Sequence, residues 1–268
     1  MGEWSLTYEG FVPEQEGLRE TLCALGNGYF CTRGAGSEAV ADGVHYPGTY
    51  IAGGYNRMQS EIAGHVIENE DLVNMPNWLP LTFRILEGGA WFTLEDVELL
   101  DYRQELDLKQ GILKRDIRFA DAQGRRTRLA FRRLVHMRQP HMAAQKLQLT
   151  PENWSGRIEV RAALDGTVTN DGVARYRRLD GRHLDPVRSE QPARDTICLR
   201  VVAHQSRLKV AMAARTRLYR DGQTVEGERR TMAGKGYLAQ LIAVDVAEET
   251  PLTVEKVVAV YTSKDPAI

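Results

Sequence analysis

The stretch RIEVRAALD, residues 157–165, decides the fold class. Ile158, Val160, Ala162 and Leu164 fall on one face, Glu159 and Arg161 on the other. A period of two with one apolar face predicts an antiparallel strand that covers a core. TICLRVVA (196–203) repeats the pattern through Ile197, Leu199, Val201 and Ala203. RLKVAMAAR (207–215) does so through Leu208, Val210, Met212 and Ala214. GYLAQLIAVDV (236–246) and LTVEKVVAVYT (252–262) end the chain in the same style. Many strands of this kind predict a mainly β fold, a large antiparallel sandwich in which two sheets bury each other's apolar faces.

Turn chemistry separates the runs. DAQG (121–124) between KRDIRFA and RRTRLAFRRLV reads as a hairpin, and RDGQ (220–223) and AGKG (233–236) read as further turns. The polar segment GRHLDPVRSEQPARD (181–195) carries Pro186 and Pro192 and is expected to be an exposed loop. The arginines of GRRTR (124–128) and FRRL (131–134) are expected on solvated sheet faces. Helix signals are few. PEQEGLRETLCALG (13–26) has Pro13 and acids early, then Leu18, Leu22 and Leu25 at helical spacing, then Gly26. That predicts one short helix stopped by glycine.

The 268 residues suffice for one large β domain, with no fixed-period repeat. A net charge of -1 argues against nucleic acid and against anionic membranes as partners. No signal peptide is visible, and the apolar runs are too short to span a bilayer. A cytoplasmic location is therefore expected, with Cys23, Cys31 and Cys198 as free thiols.

ETLCALGNGYFCTRGAG (20–36) raises the possibility of a phosphate loop. Such a loop needs a strand before its glycines and a helix after them. Here the order is reversed, and Cys31 stands where a third glycine belongs, so a nucleotide site is rejected. The six histidines offer no HExxH, so no metal site is expected. Asp165, Asp171 and Asp185 lie in loop-like stretches, and nothing selects among them as acid or base.

Three more stretches stand out: YPGTYIAGGYN (46–56), NMPNWLPL (74–81) and TVTNDGVARY (167–176), with Asn170-Asp171-Gly172 in a turn. Aromatic and amide side chains in Gly/Pro-rich loops suit the CH-rich face of a sugar ring. They also suit plugs at the ends of a sandwich or a face turned to another domain, the commoner role, since aromatics pack more often than they contact ligands. Asn27, Tyr29, Arg33, Tyr50, Tyr55, Asn56, Asn74, Asn77 and Trp78 are the candidates for either contact.

ETLCALGNGYFCTRGAG, PGTYIAGGYN, LVNMPNWLPL, DYRQELDLKQGILKRDIRF, LTPENWSGRIEVRAALDGTVTN and AVYTSKD occur in this order. Together they resemble the N-terminal domain of glycoside hydrolase family 65, the maltose, trehalose and kojibiose phosphorylase group. The resemblance runs over nearly the whole chain. It implies a super-sandwich of the galactose-mutarotase-like type over residues 1–268, a helical linker, and a catalytic (α/α)6 barrel absent from this chain. It also implies an inverting parent enzyme in carbohydrate metabolism. In that enzyme a carboxylic acid protonates the glycosidic oxygen, and inorganic phosphate is the co-substrate if the reaction is phosphorolysis.

On this resemblance no catalytic residue, metal or other cofactor falls in the present chain, which alone is expected to be inactive. Its expected partners are the barrel, the parent's disaccharide and a second copy in a homodimer. The alternatives are a stand-alone carbohydrate-binding module using Trp78, and an aldose 1-epimerase-like enzyme using His136 or His141.

Overall fold

The structure, a computed structural model, describes residues 4–170 and 181–266. Asp171 and Gly172, expected in a turn, lie outside the described residues. The chain starts with β1 (Ser5–Glu9), a 3-10 turn (Pro13–Gln15) and α1 (Glu16–Leu22). The short strands β2 (Leu25–Gly26), β3 (Phe30–Thr32) and β4 (Thr49–Ile51) follow, then a hairpin of β5 (Tyr55–Ile62) and β6 (His65–Leu72). Longer strands come next: β7 (Leu81–Ile85), β8 (Glu98–Asp107), β9 (Ile112–Ala120), β10 (Arg126–Val135), β11 (Met142–Pro151) and β12 (Gly156–Asp165). Beyond residue 180 lie β13 (Leu184–Ala193), β14 (Thr196–Ala203), β15 (Lys209–Arg220) and β16 (Gln223–Val225). The last three are β17 (Glu228–Gly234), β18 (Tyr237–Val246) and β19 (Leu252–Thr262).

The fold is a mainly β antiparallel sandwich. One sheet has ten strands in the order β1-β8-β9-β10-β11-β19-β15-β14-β13, with β16 also on β15. A four-stranded sheet, β17-β18-β12-β7, is the second layer. β2-β3-β4 and β5-β6 form two small separate sheets. The alternation read in the sequence is the cause: β14 and β19 alternate buried and part-exposed residues along most of their length. The expected turns close with left-handed residues at Gly124, at Asp221 and Gly222, and at Gly236.

Three expectations need correction. Residues 184–193 form strand β13 rather than a loop. Pro186 and Pro192 are tolerated because β13 is the edge of the sheet, where a missing N–H costs no ladder bond, and register shifts flank both. The helix ends at Leu22, capped by Cys23, well before Gly26. Gly26 sits instead in β2, where a Cβ would stand 2.8 Å from that of Cys31, while Gly28 takes the positive φ of 86°. Finally, Arg133 of the FRRL run is buried, although Arg126 and Arg128 are exposed as expected.

Arg133 belongs to a polar belt across the inner face of the large sheet. Gln104 on β8 lies opposite Arg115 on β9. Arg133 on β10 lies opposite Gln145 on β11, which lies opposite Lys256 on β19, which lies opposite Thr216 on β15. All six side chains are buried. Each has apolar neighbours two residues away on its own strand, so the belt divides the core in two. Val135, Ala143, Val258 and Ala214 lie on one side, and Phe131, Leu147, Val254 and Leu218 on the other.

The belt satisfies the backbone of residues 74–80, which has no continuous ladder of its own. Lys256 Nζ donates to the carbonyls of Trp78 (2.6 Å), Pro80 (3.0 Å) and Ala163 (2.6 Å). Gln145 Nε2 donates to Leu79 O (2.7 Å). Buried carbonyls need donors, and here side chains replace a neighbouring strand. Burial and the charge of Arg133 push the pKa of Lys256 well down, and the three carbonyl acceptors work against that shift.

Candidate functional site

The candidate residues gather at one end of the sandwich and around α1, but most are structural. Asn27 joins β2–β3 to the β10–β11 turn: its Nδ2 donates to His136 O (2.8 Å) and Pro140 O (2.9 Å). Its Oδ1 accepts from the backbone of Tyr29 and Phe30. Asn56 Oδ1 accepts from the backbone N–H groups of Gln205 and Ser206, and its Nδ2 meets His183 Nδ1 at 3.1 Å. Asn74 Oδ1 accepts from Thr49 N, and Nδ2 donates to Thr169 O. Asn77 Oδ1 accepts from Leu79 N, while its backbone pairs with Asp165. Asn27, Asn56 and Asn74 are clips between loops, because an amide can satisfy a stray donor and a stray acceptor at once, whereas the Asn77 side chain closes only its own turn.

Trp78 is 0% exposed, so it can touch neither a sugar nor a partner in this state. Its ring lies 5.9 Å from the Arg133 guanidinium. Tyr29 donates to Asp265 Oδ2 (2.6 Å), and its ring meets the edge of His141. Burial, with Asp265 beside it, drives the phenol pKa up. His141 also stacks on Tyr261 at 4.0 Å and bonds Val260 O through Nδ1. His136 Nδ1 accepts from the N–H groups of Arg138 and Gln139. Both histidines are thus tied into loop closure. Trp78 and Leu79 pack, fully buried, in the cluster that covers one half of the large sheet's inner face.

Tyr50 is half-buried, and its phenol is also raised by burial and by Tyr46. Tyr55 is exposed at the foot of the β5–β6 hairpin. Asp165 accepts from Thr167 N and Oγ1, an ordinary turn, and Asp185 pairs with His204 at 3.2 Å. Among the described residues no group of three His, Cys, Asp or Glu side chains converges on a metal position.

The feature that sequence reading missed is the orientation of α1. Its buried residues are Glu16, Arg19 and Glu20, whereas Leu18 and Leu22 are 61% and 50% exposed. Arg19 bonds Gly10 O (2.8 Å) and Glu16 (3.2 Å). Glu20 holds His45 Nδ1 (2.9 Å), Tyr46 N (2.9 Å) and Arg33 (3.5 Å). The hydrogen bond from Glu20 raises the His45 pKa, with burial opposing. Arg33 donates to Gly17 O (2.9 Å) and lies over the Tyr46 ring, so it braces the helix. Exposed Val40 and Val44 belong to the loop that this network holds against α1. The charged face is anchored inward and the leucine face points out. Both faces recur at helical spacing, so the pattern alone does not say which one is buried.

This geometry has relatives. An uncharacterized glycosyl hydrolase of Mycobacterium tuberculosis is 44% identical over 264 residues, 98% of this chain and 20% of its own length. A kojibiose phosphorylase of Halothermothrix orenii is 28% identical over 92% of this chain and 29% of its own. A trehalose 6-phosphate phosphorylase of Lactococcus lactis is 26% identical over 98% of this chain and 33% of its own. The chain therefore spans between a fifth and a third of the length of these relatives. A solved human-microbiome protein assigned as a kojibiose phosphorylase shares the fold, with a TM-score of 0.82 at 18% identity over 97% of this chain and 32% of that one. The family description "Glycosyl hydrolase family 65, N-terminal domain" matches residues 6–268, and the chain belongs to that family as its N-terminal domain.

Proposed function

We propose that this chain is the accessory, non-catalytic sandwich of an inverting α-glucoside phosphorylase or hydrolase that works in the cytoplasm. The catalytic (α/α)6 barrel lies outside it, and so do the acid and, for phosphorolysis, the site for inorganic phosphate. The single described domain buttresses that barrel. One observation carries the reading: α1 turns Leu18 and Leu22 to solvent and buries its charges. Exposed apolar patches on a stable domain mark a partner surface, and the much longer relatives supply the class of partner.

The test compares the chain with its longer form. The isolated chain should cleave no kojibiose, maltose or trehalose, with or without phosphate. Leu18→Glu with Leu22→Glu should leave the isolated domain folded within about 0.5 kcal/mol, as surface changes do. The same pair should lower the unfolding temperature of the barrel-bearing protein. Turnover by the isolated chain, or no effect in the longer protein, would overturn the proposal. If the pair instead converts a dimer of the isolated chain to monomer, the patch serves a second copy.

A second reading, direct sugar binding, has one observation in its favour. A cleft of about 190 Å³ opens at the β7 edge, lined by Trp91, Phe92, Asp96, Gln123 and Arg125. A lining of aromatic side chains with a few polar groups is the usual composition of a small-ligand site. Saturable quenching of tryptophan fluorescence by a disaccharide, lost in Trp91→Ala, would support this reading.

A further inference from the structure

The polar belt contains more positive charge than its partners neutralise. Arg115 is matched: Glu38 takes bonds from both of its terminal nitrogens, one of them at 2.7 Å. Arg133 forms no ion pair among the described residues. It donates only to Ser37 Oγ (3.1 Å) and, weakly, to Arg33 O (3.4 Å). Lys256 meets three carbonyls and no carboxylate. Glu16 and Glu20, under α1, are already engaged by Arg19 and by His45 and Arg33. Arg133 is therefore a buried cation with no carboxylate of its own, since Glu38, Glu16 and Glu20 are each engaged by other side chains. Uncompensated buried charge is costly, which makes this imbalance a physical signal.

Two further observations point to one spot. Arg133 Nε and Gln104 Nε2 are buried donors without a hydrogen-bond partner, although each side chain is more than nine-tenths buried. The Gln104 Oε1 accepts from the Tyr102 hydroxyl (3.0 Å), while its Nε2 has only the Cys23 thiol, a weak acceptor, beside it. Both residues line one cavity of about 20 Å³, together with Gly36, Ser37, Arg115 and Gln145. Roughly 10–15 Å³ suffices for a water-sized occupant.

We propose that this cavity binds one small monovalent inorganic anion of the halide class, with chloride as the cellular occupant. A halide accepts from both orphaned donors and needs no acceptors in return. It also offsets the charge that Arg133 leaves unmatched. Burial and the charge of Arg115 push the Arg133 pKa down to about 9, and an anion at this position would reverse that tendency. The site plays no part in sugar chemistry and does not depend on the proposed function.

The test uses the 268-residue chain. Crystals soaked in bromide should show an anomalous peak beside Arg133 and Gln104. At constant ionic strength, replacing gluconate by chloride should raise the unfolding temperature by about 2–4 °C, the size expected for a moderately populated site. Gln104→Leu, which removes one orphaned donor in place, should abolish most of that rise. Gln104→Met serves if the leucine variant fails to fold. A bromide peak without a chloride effect would mean an adventitious ion only, and would overturn the proposal. Density for a water alone with equal unfolding temperatures in the two salts would do so as well.

Discussion

Two adjacent stretches of this chain are built in opposite ways. Residues 55–72 form a regular hairpin, with every residue of β5 paired to β6 from Tyr55↔Leu72 to Ile62↔His65. Its Tyr55, Val66, Ile67 and Leu72 are nevertheless exposed. Residues 74–79 pair with no continuous strand, yet all six are buried. Backbone regularity and burial are thus separable. The hairpin satisfies its own hydrogen bonds and leans little on the core, whereas the irregular segment is held by side chains of the large sheet.

That contrast can be broken from either side. The largest effect is expected at Trp78. Trp78→Ala should cost about 3–5 kcal/mol in urea unfolding, because a fully enclosed indole leaves a cavity. If the variant is nearly as stable as the parent, the segment is not part of the core. Lys256→Met keeps the volume but strips three carbonyls of their donor, and should cost about 2–3 kcal/mol. A neutral result would mean that packing rather than hydrogen bonding fixes residues 74–80. The smallest effect belongs to the hairpin. Joining Ser60 to Ile67, a paired couple, through an Asn-Gly turn should change stability by under about 1 kcal/mol. Hydrogen exchange sharpens the contrast: the amides of 57–70 should exchange quickly and those of 75–79 only on global unfolding.

The strands were legible because alternation is a local signal. β12, β14, β18 and β19 contain Ile158, Ile197, Leu238 and Leu252, and β15 begins one residue after Leu208. The belt was legible too, though unread. In LTVEKVVAVYT, Lys256 falls on the same phase as Val254 and Val258, and Arg133 on that of Phe131 and Val135. A charge on the inward phase of a strand is a request for a buried partner. The asparagine clips were not legible. Asn27 answers to His136 and Pro140, and Asn74 to Thr169, so their roles depend on residues far away in sequence. At Trp78 the sequence left plug and platform open, because composition does not distinguish them, and the structure makes it a plug. Which face of α1 is buried was not legible, because the amphipathic pattern has no absolute direction.

The position of β19 has a kinetic consequence. It is the last of the described strands, yet it lies between β11 and β15 in the ten-stranded sheet. Until residues 252–262 leave the ribosome, the two halves of that sheet each present an open, sticky border. A nascent chain must therefore wait, shielded or at risk, for one late strand that acts as the keystone of its assembly.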